Sequence, residues 1–381
     1  MLKVGLIGCG HIAETYFRSQ KYFNNIEIIS CADINAEASK KCAQEYNIEA
    51  QEVDDLLIDK KINIVLNLTT PQAHYEIIKK TLLAGKHSYC EKPLSTNYDH
   101  GAELLQLAND NNLYIGNAPD TFLGGGAQLA RQLIDQNKIG DVKLGVINFA
   151  FPGVQSFHPE PESWFKKGGG PVIDMGPYYY TALVNLLGPA KSVHAKATKV
   201  YDYRTIEIGS KKGDKFEVEI PTSIIGSIEF KNSAVIQVFL SFDVINHQRN
   251  HIELYGTKGS MIVPDPNMFG GSVFSSCTES GEWKEYSSSD MLIGKTNIFN
   301  KSVRSNEEPE VANYRGVGLS EMIDAIENKR TNRCNGELSL HVLDMIDSTI
   351  NAAINGVEQD LRTNCLRPMV FSENEIKQLM K

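Results

Sequence analysis

Two spacings in the chain bring together residue types able to hold a ligand or move a proton. The first is Gly8-x-Gly10-x-x-Ala13 in "VGLIGCGHIAETYF", which also places His11 and Ile12 in the turn. Gly8 permits a tight turn, Gly10 lets a pyrophosphate approach the backbone, and a small residue at 13 lets a helix pack closely on the preceding strand. N–H groups at the start of that helix face the anion. An acid, Asp33, closes "IISCAD" at the distance this pattern requires. A carboxylate there accepts hydrogen bonds from both adenosine ribose hydroxyls and repels a 2′-phosphate, and Ile34 and Asn35 bring no cation for one. NAD(H) is therefore expected rather than NADP(H). Asp33 has a second, compatible reading as the cap of a helix beginning near Asn35. The other spacing lies in "GGGPVIDMGPYYY", where Asp174 and Tyr178 stand four apart, one helical turn. Of three consecutive tyrosines at most two face one direction on a helix, so Tyr179 and Tyr180 are expected to pack.

The elements that must position these residues change character along the chain. Up to about residue 120, short β-rich runs ("KVGLIG", "IEIISCAD", "INIVLNLTT", "KHSYCEKP", "NLYIGNAP") alternate with helical patterns. The runs show little polar alternation, as strands covered on both faces do. Strand–helix repetition of this kind predicts a Rossmann-type doubly wound parallel sheet over 1–120. Beyond it, over 121–381, runs such as "SIIGSIEF", "AVIQVFLSF" and "HIELYG" alternate apolar and polar residues, and helical periodicity returns in "YRGVGLSEMIDAIENK" and "SLHVLDMIDSTINAAING". That half is expected to be α+β, with a large, mostly antiparallel open sheet whose freer face is an association surface. Pro177 suits the first turn of a helix, "PYYYTALVNLLG".

Composition removes several classes. The 381 residues carry a net charge of -9 without a Lys/Arg cluster, which argues against nucleic acid. No apolar run is long enough to cross a bilayer, so no membrane partner is expected. "MLKVGLIGCG" lacks a basic leader and reads as a first strand. Seven cysteines without a C-x-x-C pair predict a reduced, cytoplasmic protein with no disulfide framework. The nine histidines are scattered and Cys9 reads as a small space-filler in its loop, so no metal site is expected.

Four stretches, "GLIGCGHIA", "NLTTPQAHYE", "CEKPLS" and "GGGPVIDMG", together resemble the Gfo/Idh/MocA oxidoreductases, from Val4 to about Gly356. The resemblance implies a Rossmann domain joined to an α/β domain with a large open sheet, and a homodimer or homotetramer formed through that sheet. Thr69, Thr70, Pro71 and His74 match the family's cofactor-lining segment; His74 reads equally as a packed histidine on a helix's first turn. Glu91 and Lys92 match the "EKP" pair, in which Glu faces the nicotinamide ribose and Lys reaches the reacting carbon's oxygen.

Oxidising a secondary alcohol also removes its hydroxyl proton, so a base must stand near that oxygen together with a positive group. The family's usual pattern is Asp followed four residues later by His; here Asp174 is followed by Tyr178. Two readings result. Tyr178 acts as the acid/base, its phenol made more acidic by Lys92, with Asp174 binding substrate or orienting Lys92; or Tyr178 packs like its neighbours. The loop "FPGVQSFHPEPESWFKKGGG" offers His158 and Trp164, types that contact sugars and are also common in exposed loops. Asp120 and Thr121 either reach the substrate or cap the helix that follows. The expected activity is NAD(H)-dependent hydride transfer to or from a secondary alcohol or ketone of a sugar, polyol or related cyclic compound. The alternatives are an enzyme that retains NAD through transient oxidation, and an NAD-binding sensor without catalysis.

Overall fold

A computed structural model describes residues 1–277, 281–299 and 310–381. The chain divides into two compact units: 1–125 with 289–343 and 368–381, and 126–288 with 344–367.

The first unit is built on a six-stranded sheet of β1 (Val4–Ile7), β2 (Ile28–Ala32), β3 (Glu49–Ala50), β4 (Ile64–Asn67), β5 (His87–Cys90) and β6 (Ile115–Asn117), in the order β3-β2-β1-β4-β5-β6. Every pairing is parallel. This is the doubly wound dinucleotide-binding order, in which ligands sit outside the carboxyl ends of the strands. β1 and β4 are buried along their whole length, the reason their sequences show no alternation. The crossover helices are α1 (Ala13–Ser19), α2 (Ala36–Tyr46), α3 (Val53–Ile58), α4 (Pro71–Leu83) and α5 (Tyr98–Asp110). Asn35 caps α2 by accepting from the Glu37 amide, and Pro71 opens α4 at a position needing no N–H donor.

The expected division at 120 is corrected by what returns to this unit. Gly116 bridges to Asn335, and Asp120 accepts from the amides of Gly316 and Gly318 at 2.8 and 3.1 Å. Buried Arg333 donates to Glu321 at 2.9 Å, to the Met369 and Val370 carbonyls and to Glu375. Segments 289–343 and 368–381 therefore complete the first unit's core. Helical periodicity in the sequence showed these helices without showing their destination.

The second unit holds α6 (Gly125–Asp135), α7 (Pro171–Leu187) and a nine-stranded sheet. Its strands are β7 (Val142–Ala150), β8 (Ala190–Thr198), β11 (Ser223–Phe230), β12 (Val235–Ser241), β13 (Ile252–Gly256), β14 (Gly259–Val263), β15 (Val273–Cys277), β16 (Trp283–Tyr286) and β19 (Gln359–Asp360), in the order β16-β15-β14-β13-β7-β12-β11-β8-β19. The short β9 (Tyr203–Thr205) and β10 (Lys215–Glu217) pair separately in this unit, whereas β17 (Ile298–Phe299) and β18 (Glu310–Val311) pair with each other in the first. Among the described residues of the large sheet, only the β7–β12 pairing is parallel; the others are antiparallel. α7 lies on the face formed by Ile236, Val238, Leu240 and Ile147, all buried. On the opposite face Leu144 pairs across strands with Val235, and both are exposed, as is Ile225. Among the described residues no helix is long and apolar enough to cross a membrane.

Candidate active site

β1 ends in the turn whose glycines the sequence singled out. Gly8 has φ +103°, and a Cβ there would lie 2.7 Å from the Leu68 carbonyl oxygen. No side chain fits, because the loop runs against the end of β4. Gly10 is the converse: a Cβ there would meet nothing within 4 Å. Open space above that backbone is what a bound pyrophosphate requires, so the loop fits a dinucleotide. The Ala13 amide closes a turn on the Gly10 carbonyl, and Ala13 is buried under the helix it begins.

Asp33 ties the loop to β2. Its Oδ2 accepts from the Cys9 amide at 2.7 Å and its Oδ1 from the Asn35 amide at 2.8 Å. The capping alternative is corrected: Asn35, not Asp33, caps α2. Asp33 remains half-buried at the end of β2.

The ends of β4 and β5 carry the next group. Asn67 Oδ1 accepts from both the amide and the hydroxyl of Thr69, and Thr70 and Pro71 start α4. His74 is fully buried, with Nδ1 2.6 Å from the Pro93 carbonyl and Nε2 3.0 Å from the Thr69 carbonyl. It offers a ligand no surface; this corrects its assignment to the cofactor lining. Burial holds its imidazole below the ordinary range despite those two carbonyls. Its role is to clamp α4 to the turn carrying Lys92, whose bond to Pro93 is cis.

Glu91 sits beside that turn. Its Oε1 accepts from the Tyr16 hydroxyl at 2.8 Å and from Arg315 at 3.3 Å, and its Oε2 accepts from the Lys92 amide at 3.1 Å. Burial works to raise the carboxyl, but Arg315, Tyr16, Lys92 and the Lys92 amide together hold it below the usual range. Glu91 is therefore an ionised anchor. Burial, then the Glu91 and Asp120 carboxylates, push the Tyr16 phenol well up, so it stays a donor. Tyr16 and Arg315 were not among the expected site residues. Arg315 lies 224 positions from Glu91, and no linear spacing relates them.

Asp120 is also relocated. It is fully buried, and burial raises its carboxyl against the pull of Arg315 and the Gly318 and Gly316 amides. It fastens the start of α8 (Val317–Glu327) and presents nothing to a substrate.

In the second unit α7 begins at Pro171, six residues earlier than expected, so Pro177 lies inside the helix. The earlier start follows from Gly170, whose φ of +100° ends the loop, and from Pro171 at the first helical position. The glycine run packs on its own loop: Gly170 donates to the Trp164 carbonyl, and a Cβ on Gly169 would lie 2.6 Å from the Ser163 and Trp164 carbonyl oxygens. Asp174 is half-buried in the first turn and Tyr178, one turn on, is 7% exposed. Tyr179 and Tyr180 pack as expected: the first meets His251 at 2.7 Å and the Asn148 carbonyl at 3.2 Å, the second meets Thr349 at 3.0 Å. His158 and Trp164 form a half-buried pair, with ring centroids 4.7 Å apart, over a cluster of Val154, Phe165, Val218 and Phe242.

Relatives share this plan. Levoglucosan dehydrogenase of Pseudarthrobacter phenanthrenivorans is 25% identical over 68% of this chain and 73% of its own. Inositol 2-dehydrogenase of Rhizobium meliloti is 23% identical over 68% of this chain and 74% of its own. A solved levoglucosan dehydrogenase in complex with NADH and L-sorbose superposes with a TM-score of 0.79 at 19% identity, covering 95% of this chain and 99% of that one. Residues 2–117 match the oxidoreductase family with the NAD-binding Rossmann fold, and residues 127–262 match the Gfo/Idh/MocA C-terminal domain. With the glycine turn, Asp33 and the anchored Lys92 in their places, the chain belongs to the Gfo/Idh/MocA family of oxidoreductases.

Proposed function

We propose that the protein is an NAD(H)-dependent dehydrogenase acting on a secondary hydroxyl, or the matching ketone, of a sugar, polyol or related cyclic compound. The observation that carries this reading is the built end of the parallel sheet: open space above Gly10, Asp33 fixed by two amides, and Lys92 following a buried, ionised Glu91. The substrate class is supported by relatives whose names specify levoglucosan and inositol.

Gly8, Gly10, His11 and Ile12 would hold the pyrophosphate, Asp33 the adenosine ribose, and Thr69, Thr70 and Pro71 the nicotinamide half. A bound nicotinamide would supply the hydride acceptor in one direction and the hydride donor in the other. The remaining work belongs to side chains. As the C–H bond breaks, the hydroxyl oxygen must lose its proton; the Tyr178 oxygen, in its phenolate form, would take it and become the phenol. Lys92 stabilises the negative charge that develops on that oxygen. Asp174, one turn before Tyr178, binds a neighbouring substrate hydroxyl, and His158 with Trp164 offers a ring face and a donor to the rest of the ring. We further propose that the exposed face of the nine-stranded sheet meets a second copy of the chain, and that the protein works in the cytoplasm.

The test is a panel of sugars, cyclic polyols and their ketones, assayed with NAD+ or NADH by nicotinamide absorbance. At least one compound should turn over, with kcat/KM lowered about 100-fold or more in Lys92→Met. Absence of nicotinamide turnover across the panel in both directions would overturn the reading.

A further inference from the structure

Cys9, Cys31 and Cys42 are 22 and 11 positions apart and come from three different elements: the glycine turn, β2 and α2. In the fold their sulfur atoms all lie within 4.8 Å of one another. Cys31 and Cys42 are buried and Cys9 is half-buried. Outside the cluster, Cys9 Sγ points at the Ala32 carbonyl at 3.7 Å and Cys31 Sγ at the Ser39 carbonyl at 3.4 Å, both weak thiol contacts.

Thiolates about 2.3 Å from a zinc-like ion sit roughly 3.8–4.0 Å from each other in tetrahedral or trigonal geometry. The three sulfurs thus need to close by less than about an ångström to share one ion. Soft thiolate donors select soft or borderline cations over magnesium or calcium. Two donors come from regular elements, and the third is held by the Cys9 amide's bond to Asp33.

We propose that Cys9, Cys31 and Cys42 form a three-thiolate site for a thiophilic divalent cation of the zinc class, and that its occupancy opposes dinucleotide binding. Ligation forms three metal–sulfur bonds and releases three thiol protons to solvent, so a divalent ion leaves the site with net charge -1. Cys9 lies between Gly8 and Gly10, so that charge stands beside the backbone that receives the pyrophosphate, and like charges repel. The coupling half of the proposal rests on the dinucleotide reading; the metal half does not. Sequence spacing concealed the cluster, because the cysteines form no short motif.

Cadmium(II) provides the test, since cadmium–thiolate bonds absorb in the ultraviolet. Reduced, metal-free protein titrated with cadmium chloride should show a charge-transfer band that saturates at one ion per chain. Cys9→Ser and Cys42→Ser should each weaken cadmium binding at least tenfold, while Cys277→Ser, a half-buried thiol of the other unit, should leave it unchanged. Thermal unfolding followed by far-ultraviolet circular dichroism reports that each variant is folded. In the wild type, saturating cadmium should raise the Kd for NADH severalfold, and in Cys42→Ser it should not. Absence of the band, or a band equally strong in Cys9→Ser and Cys42→Ser, overturns the site. A normal band with unchanged NADH affinity overturns the coupling. Failure of metal-free protein to bind NADH would count against the cofactor reading while the cadmium result stood by itself.

Discussion

Lys92 owes its place to groups that do no chemistry themselves. Glu91 is ionised because Arg315 and Tyr16 reach it, and it in turn holds the Lys92 amide, while His74 holds the Pro93 carbonyl. His74 also gives the protein a pH dependence. Its folded-state imidazole titrates below the ordinary value near 6.5, so the unfolded chain binds the proton more readily. Stability is then intact above that pH and drains as pH falls through the folded value. His87, lowered by burial as well, adds to the same slope. Thermal melts from pH 7.5 to 5 should show the midpoint falling with acidification, and His74→Gln should flatten part of that slope; an unchanged slope would show that His74 is not buried neutral. Asp33 carries a second expectation at this scale. Asp33→Ala should weaken NADH binding by about tenfold or more, as loss of charge-assisted hydrogen bonds does, and narrow the preference over NADPH. Fluorescence titration with both nucleotides checks it. Gly8, Gly10 and Asp33 were readable from types and spacing because that turn is local. Arg315, Tyr16 and the burial of His74 and Asp120 were not, since each depends on a partner brought in by the fold.

At the scale of elements, strand–helix alternation and the loss of polar alternation in "INIVLNL" were enough for the parallel sheet. The start of α7 was not. Two prolines, Pro171 and Pro177, compete for the first helical turn, and the positive φ of Gly170 decides for the earlier one. As a consequence Asp174 stands in the first turn and Tyr178 is held by a full helical frame rather than by a fraying end. The loop before α7 is fixed by Gly169, whose Cβ position is occupied by carbonyl oxygens at 2.6 Å. Gly169→Ala should cost ~1–3 kcal/mol through overpacking against backbone. It should also raise the substrate KM more than it lowers kcat, because it displaces the His158–Trp164 pair while leaving α7 in place. Calorimetry and steady-state kinetics check both halves.

At the scale of the whole molecule, the chain leaves the Rossmann unit after residue 125, builds the large sheet, and returns twice. A reading of the sequence in order cannot see a return, which is why the simple division at 120 failed for 289–343 and 368–381. The alternation in "SIIGSIEF" did announce a sheet with one covered and one freer face. On that freer face Leu144 is 56% exposed and Ile225 53%, unusual for aliphatic residues in the middle of strands. If a second copy covers it, sedimentation at micromolar concentration should report a dimer or tetramer, and Leu144→Asp with Ile225→Lys should yield a folded monomer. A wild-type monomer would contradict this.

The proposed reaction turns on Tyr178, which moves the proton in a nicotinamide-linked oxidation. The measurement that meets it most directly is kcat/KM of Tyr178→Phe on the best substrate from the panel, with NADH affinity measured on the same preparation. Loss of the phenol should lower kcat/KM about 100- to 10,000-fold with NADH affinity unchanged. Equal turnover by wild type and Tyr178→Phe would contradict it.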